Sequence, residues 1–141
     1  MLSSEPRSVC LNAILVRRIT QMARDHRKLR VFALADALVI AVYRATATFP
    51  QEERYVLQAQ IRRAAIAAAS NIVEGCARRT TKEYLNFLNF ANGSTAETEY
   101  LLNIAKRLGL MSAALEADLV ERYKELTRGL QNLLGSLENE P

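Results

Sequence analysis

Residues 80–109, TTKEYLNFLNFANGSTAETEYLLNIAKRLG, decide the fold. Tyr84, Phe87, Leu88, Ala91, Thr95, Thr98, Leu101, Leu102, Ala105 and Leu108 recur at spacings of three and four, which lays one continuous stripe along a helix. Thr80 followed by Glu83 is a capping-box pattern: the hydroxyl accepts from an orphan amide while the carboxylate reaches back to the cap amide. The helix is therefore expected over 81–108, with Gly109 closing it. Gly93 interrupts the stripe at a cost of about 1 kcal/mol relative to alanine, which points to close approach by a neighbouring backbone.

Outward from this stretch the same period repeats. Leu57, Ile61, Ala64, Ala65, Ala68 and Ile72 place a helix over 52–77, closed by Gly75 and the polar run Arg78-Arg79-Thr80. Val31, Leu34, Ala35, Leu38, Val42, Ala45 and Phe49 place another over 31–49, ended by Pro50, which drives the residue before it out of the helical region. Ser112 caps a last helix over 113–137, whose seam is Leu115, Leu119, Tyr123, Leu126, Leu130, Leu133 and Leu137. Short links make neighbours antiparallel, so the expectation is an all-α, antiparallel up-down-up-down four-helix bundle over 22–141. Residues 1–21 form an N-terminal extension, either peripheral or a short extra helix lined by Val9, Ala13, Val16 and Ile19. Met22, which leads directly into the bundle, is read as the natural start.

Composition fits this class. The 141 residues are 50% hydrophobic and 24% charged, with 5 Gly and 3 Pro, enough for one packed domain and too apolar for a disordered chain. Cys10 and Cys76 lie in different segments without metal-ligand spacing, so neither a disulfide framework nor a zinc site is indicated. Apolar runs such as Ala64 to Val73 fall far short of the roughly 20 residues that span a bilayer. Ser8 to Val16 is a poor signal segment, with Glu5 before it and Arg17-Arg18 after it. A cytoplasmic protein with no membrane partner is expected. The net charge of +4 conceals an asymmetry: residues 1–82 hold fourteen Lys/Arg against six Asp/Glu, and residues 83–141 hold five against nine.

If the turn between the second and third helices centres on Thr80, Arg63 faces Glu97, Asn71 faces Asn89 and Glu74 faces Asn86, with Arg62 and Glu99 as neighbouring substitutes. Such a pair would fix register more than it adds stability, and a fully buried one would lose about 3 to 5 kcal/mol on Glu97→Ala. Asn71, Glu74 and Glu97 read less well as a metal or acid/base site, because the Glu-x-x-His pairs of di-metal bundles are missing and the single histidine, His26, precedes the first helix. With no phosphate-cradling glycine loop and no nucleophile beside a histidine, no enzyme activity, metal or cofactor is expected.

Phe49-Pro50, Gln60-Ile61-Arg62-Arg63-Ala64, Asn71-Ile72-Val73-Glu74-Gly75, and Gly93-Ser94 followed by Glu97 and Glu99, in this order and spacing, resemble the proteins encoded within intervening sequences of bacterial 23S ribosomal RNA genes. The resemblance runs from Asp25 to about Met111 and fades in the last helix. Cys76 stands where a larger residue is usual, and Asn92 where arginine is expected, which lowers the local basic charge. The resemblance implies a cytoplasmic four-helix bundle that assembles into a ring-shaped homo-oligomer, a pentamer. At the level of fold the chain is also similar to the accessory proteins of diversity-generating retroelements, basic pentameric barrels that bind nucleic acid and a reverse transcriptase. No settled biochemical activity accompanies the ribosomal family.

The expected function is therefore a non-enzymatic oligomer that binds RNA or DNA, or adapts a ribonucleoprotein. Arg62, Arg63, Arg78, Arg79 and Lys82, around helix two and its exit turn, are the candidate phosphate contacts, since the arginine fork matches phosphate oxygens. Arg24, Arg27, Lys28 and Arg30 form a second basic cluster. Two readings compete. Arg78 and Arg79 also suit a helix C-terminal dipole with no ligand at all. Phe90, Tyr100 and Ile104, off the main stripe of helix three, suit subunit contacts or a scaffold that docks another protein.

Overall fold

A computed structural model describes residues 24–139; the extension at 1–21, with Cys10, lies outside them. Four helices carry the described chain: α1 (Arg30–Thr46), α2 (Leu57–Cys76), α3 (Thr81–Arg107) and α4 (Ala113–Glu138). Short 3-10 turns precede α1 at His26–Lys28 and α2 at Gln51–Glu53. There is no strand among the described residues, and no described helix is long and apolar enough to cross a membrane. One core joins all four helices, with α2 and α3 the most closely packed pair. Gln60 in the first half of α2 meets Glu97 in the second half of α3, and Gly75 at the end of α2 meets Tyr84 and Phe87 near the start of α3.

The helix ends follow local chemistry. Thr80 Oγ1 accepts from the Glu83 amide at 3.2 Å and donates to the Glu83 carboxylate at 2.9 Å, so the carboxylate reaches the cap hydroxyl rather than the cap amide. Ser112 Oγ accepts from the Leu115 amide. Gly109, at φ 73°, turns the chain out of α3 while Gly109 N–H donates to Lys106 and Leu110 N–H to Ala105, the paired bonds of a left-handed helix stop.

Three expectations need correction. The link between α1 and α2 is longer than 50–51: α1 stops at Thr46 and α2 starts at Leu57, because the chain after Pro50 spends Glu53 and Arg54 N–H on 3-10 bonds to Pro50 and Gln51. In α4 the buried seam is Leu119, Tyr123, Leu126, Leu130 and Leu134, leaving Leu115 exposed and Leu133 and Leu137 half-buried. A straight helix of 3.6 residues per turn drifts by about 20° per heptad from a strict seven-residue repeat, which carries the buried line from 133 to 134. Gly93 has no neighbouring atom within 4 Å of where a Cβ would stand; the close approach belongs to Gly75, where a Cβ would lie 3.0 Å from Phe87 Cβ.

Candidate nucleic-acid interface

The two basic clusters that are far apart in sequence meet in the fold. Arg24 Nη2 donates to Thr81 Oγ1 at 3.1 Å, and its guanidinium lies 4.3 Å from the Tyr84 ring centroid. This fastens residues 24–28 beside the α2–α3 link, which carries Arg78, Arg79 and Lys82. Arg78 stacks 4.6 Å over Phe87, while Lys28, Arg79 and Lys82 stand exposed. Arg24, Lys28, Arg78, Arg79 and Lys82 have no carboxylate within ion-pair distance among the described residues.

The other members of the second cluster are already engaged. Arg27 donates through Nε and Nη2 to Asp25, each at 2.9 Å, and that guanidinium holds the Asp25 carboxyl down at about 2. Arg30 pairs with Glu125 on α4 at 2.6 Å. The candidate phosphate contacts at this end of α2 thus narrow to four exposed cations, Lys28, Arg78, Arg79 and Lys82, with Asp25, Glu74 and Glu83 the acids on the same turns. Two of those acids are committed, Asp25 to Arg27 and Glu83 to Thr80.

Arg62 and Arg63 lie near the start of α2, about 20 Å along its axis from its last residue, Cys76, at 1.5 Å per residue. Neither pairs with Glu97 or Glu99. Arg62 instead donates to Thr46 Oγ1 at 3.0 Å and to the Tyr43 carbonyl at 3.3 Å, and stacks 4.3 Å over the Tyr43 ring. With Gln58 Nε2 donating to the Thr46 carbonyl at 2.7 Å, it closes the carbonyl end of α1. Glu97 takes its bond from Gln60 at 3.2 Å and is exposed. The reason is the centre of the link: helices ending at Cys76 and starting at Thr81 pivot between Arg78 and Arg79, not on Thr80, which moves the residue facing Glu97 back from 63 to 60.

The remaining polar residues of the expected register fare similarly. Glu99 turns toward α4, where burial pushes its carboxyl up and Lys124 partly offsets it. Asn71 donates to the Ala67 carbonyl of its own helix, and Glu74 is exposed. Among the described residues no group of three His, Cys, Asp or Glu is placed to hold a metal. Cys76 is buried, and burial raises its thiol.

The sequence reading passed over Arg54 and Tyr55. They sit on the α1–α2 link beside two open depressions, of about 490 Å³ toward Pro50 and about 330 Å³ toward Ile66, both bordered by Arg54, Gln58 and Arg62. Both residues fall in the first turn of the helix expected over 52–77, off its apolar stripe, where periodicity gives an arginine-tyrosine doublet no weight. Phe90 and Tyr100 are 58% and 61% exposed and share one face of α3 with Gly93 and Glu97, whereas Ile104 is half-buried against the core.

The sequence pattern of the 23S rRNA-intervening sequence protein family matches residues 27–132, reaching well into α4, beyond Met111 where the motif resemblance fades. No curated protein matches the chain in sequence. Among solved structures it is similar to the crystal structure of a protein of unknown function from the S23 ribosomal protein family of Bacteroides thetaiotaomicron. The two are 20% identical with a TM-score of 0.69, over 74% of this chain and 97% of that one, a likeness of fold. The family match spans well over half of the sequence, and the chain belongs to the 23S rRNA-intervening sequence protein family.

Proposed function

We propose that this member of the 23S rRNA-intervening sequence protein family is a non-enzymatic, cytoplasmic, ring-shaped homo-oligomer that binds nucleic acid. Its phosphate contacts are Lys28, Arg78, Arg79 and Lys82, with Arg24 fastening the two segments that carry them. The observation that carries the reading is the convergence of residues 24–28 and 78–82 at one end of α2, with those four exposed cations free of carboxylate partners among the described residues. Cations held near each other in excess of the neighbouring carboxylates favour a polyanion, and repetition of the cluster around a ring multiplies the attraction. The antiparallel up-down-up-down course is supported by the Gln60–Glu97 and Gly75–Tyr84 contacts between α2 and α3, by Gln58 and Arg62 near the start of α2 meeting Thr46 at the end of α1, and by Lys106 at the end of α3 meeting Glu116 at the start of α4. The exposed Phe90 and Tyr100 support self-association, and five subunits is the number the family resemblance implies.

The test is titration of structured RNA and of duplex DNA at about 50 and 200 mM salt. Binding through this cluster loses affinity steeply as salt rises, and for duplex DNA each cation removed lowers the slope of log K against log salt by about 0.9. Arg78→Ala/Arg79→Ala should therefore weaken binding across sequences alike. No binding at the lower salt would remove the reading.

A further inference from the structure

We infer that the link between α1 and α2 carries a second, separate site, for a single-stranded nucleic-acid segment with one base stacked on the ring of Tyr55. It rests on the nucleic-acid reading above but uses the far end of α2 and different residues. Tyr55 is 83% exposed, with Val56 beside it at 63%. A large aromatic left this open has a flat apolar face available to a partner. The depression it borders, about 330 Å³, is lined by Tyr43, Arg54, Arg62, Arg63 and Ile66 among others, and no carboxylate lines it. The adjoining depression toward Pro50 likewise has Arg54 and Arg62 and no acid.

Three arginines around exposed aromatic rings select the ligand. An acidic partner is favoured by charge, and a planar one by the rings; a nucleotide chain with unstacked bases is both. Arg62 is held flat against Tyr43 by its bonds to α1, so it offers a fixed planar surface rather than a mobile charge. Arg54 and Arg63 have no ion-pair partner among the described residues and supply the phosphate contacts. The nearest acids in sequence are Glu52 and Glu53, and the Glu53 carboxylate is turned back to accept the Leu57 amide at 3.3 Å. A duplex hides its base faces, so this site discriminates against it.

The experiment compares the full chain with Tyr55→Ala, Tyr55→Phe and Arg78→Ala/Arg79→Ala, titrating a labelled oligouridine of about twelve nucleotides, within the usual span of such sites, and a labelled RNA duplex. Light scattering and thermal melting accompany each variant. Tyr55→Ala should weaken the single strand by about 5- to 100-fold, as loss of one stacking platform does, and leave the duplex unchanged. Tyr55→Phe should keep wild-type affinity because the ring face is retained. Arg78→Ala/Arg79→Ala should weaken the duplex. Wild-type affinity of Tyr55→Ala for the single strand, with duplex binding intact, overturns this site alone. Equal loss of both ligands, or a lower assembly mass in Tyr55→Ala, overturns it in favour of a general or subunit contact. Failure of the wild type to bind either ligand removes both readings.

Discussion

Gly75 and Gly93 show how differently two glycines in helices can be constrained. At Gly75 a methyl group would stand 3.0 Å from Phe87 Cβ and 3.1 Å from Tyr84 Cδ2, atoms too close to the backbone to swing aside. Gly75→Ala should destabilise by about 1 to 3 kcal/mol through overpacking, read as a lower melting temperature. At Gly93 nothing lies within 4 Å, so Gly93→Ala should stabilise by up to about 1 kcal/mol from helix propensity. A loss of stability there together with a smaller assembly mass would mean that another copy packs on that face. Glu97 is exposed and bonded only to Gln60, so Glu97→Ala should change stability by less than about 0.5 kcal/mol. A cost near that of a broken buried ion pair would contradict this geometry. Tyr84 is buried beside Cys76, and burial, then the neighbouring thiol, push its phenol up to about 12 from 10.0. Between those values the unfolded chain loses the proton while the folded chain keeps it. Stability should thus be intact below about pH 10 and fall as pH rises toward 12. Tyr84→Phe should make that part of the pH profile of the melting temperature shallower, the remaining slope coming in part from Tyr123, whose phenol burial also pushes up.

At the scale of elements, the long side chains of Gln58 and Arg62 on α2 close the open end of α1. The last carbonyls of a helix need donors, and here Tyr43 and Thr46 receive them from the next helix rather than from a glycine turn. This couples α1 to α2 and fixes where the intervening link must cross. Arg62→Ala should lower the urea midpoint by the equivalent of about 1 to 2 kcal/mol, since it removes charge-assisted bonds and a stacked ring. Arg62→Lys should recover little, because an ammonium lacks the planar fork. An unchanged midpoint in Arg62→Ala would show that the end of α1 needs no closure from α2.

For the whole molecule, charge is divided along the chain. The basic half supplies α1 and α2, and the acidic residues concentrate in α3 and α4. The link across this divide at Arg30–Glu125 is exposed, with side chains 80% and 41% accessible, so it contributes at most about 1 kcal/mol and weakens with salt. Phe90 packs edge-on against Phe87, over which Arg78 stacks, whereas Tyr100 lies further along α3 from the α2–α3 link, so assembly and nucleic-acid binding should be separable at Tyr100. Phe90→Glu/Tyr100→Glu is expected to reduce the assembly mass by light scattering while each subunit keeps its helical signal. Retention of the wild-type mass would place subunit contacts elsewhere.

The sequence by itself determined the number of helices, the positions of α3 and α4 to within about a residue, the capping at Thr80 and Ser112, and the family. Those features are local: a period of 3.6 residues, or a side chain reaching an amide three residues away, is complete within a short window of chain. The stretch around Pro50 was less legible, because its 3-10 turn is defined by backbone bonds that no periodicity signals. What only the tertiary structure decided was which charges meet. Moving the centre of one link by less than two residues exchanged Arg63 for Gln60 opposite Glu97 and sent Arg62 to cap α1. It took the fold of residues 24–28 back onto Thr81 and Tyr84 to join two basic clusters more than fifty residues apart. Such meetings depend on helix rotation and on where links pivot, and side-chain spacing along one helix carries neither.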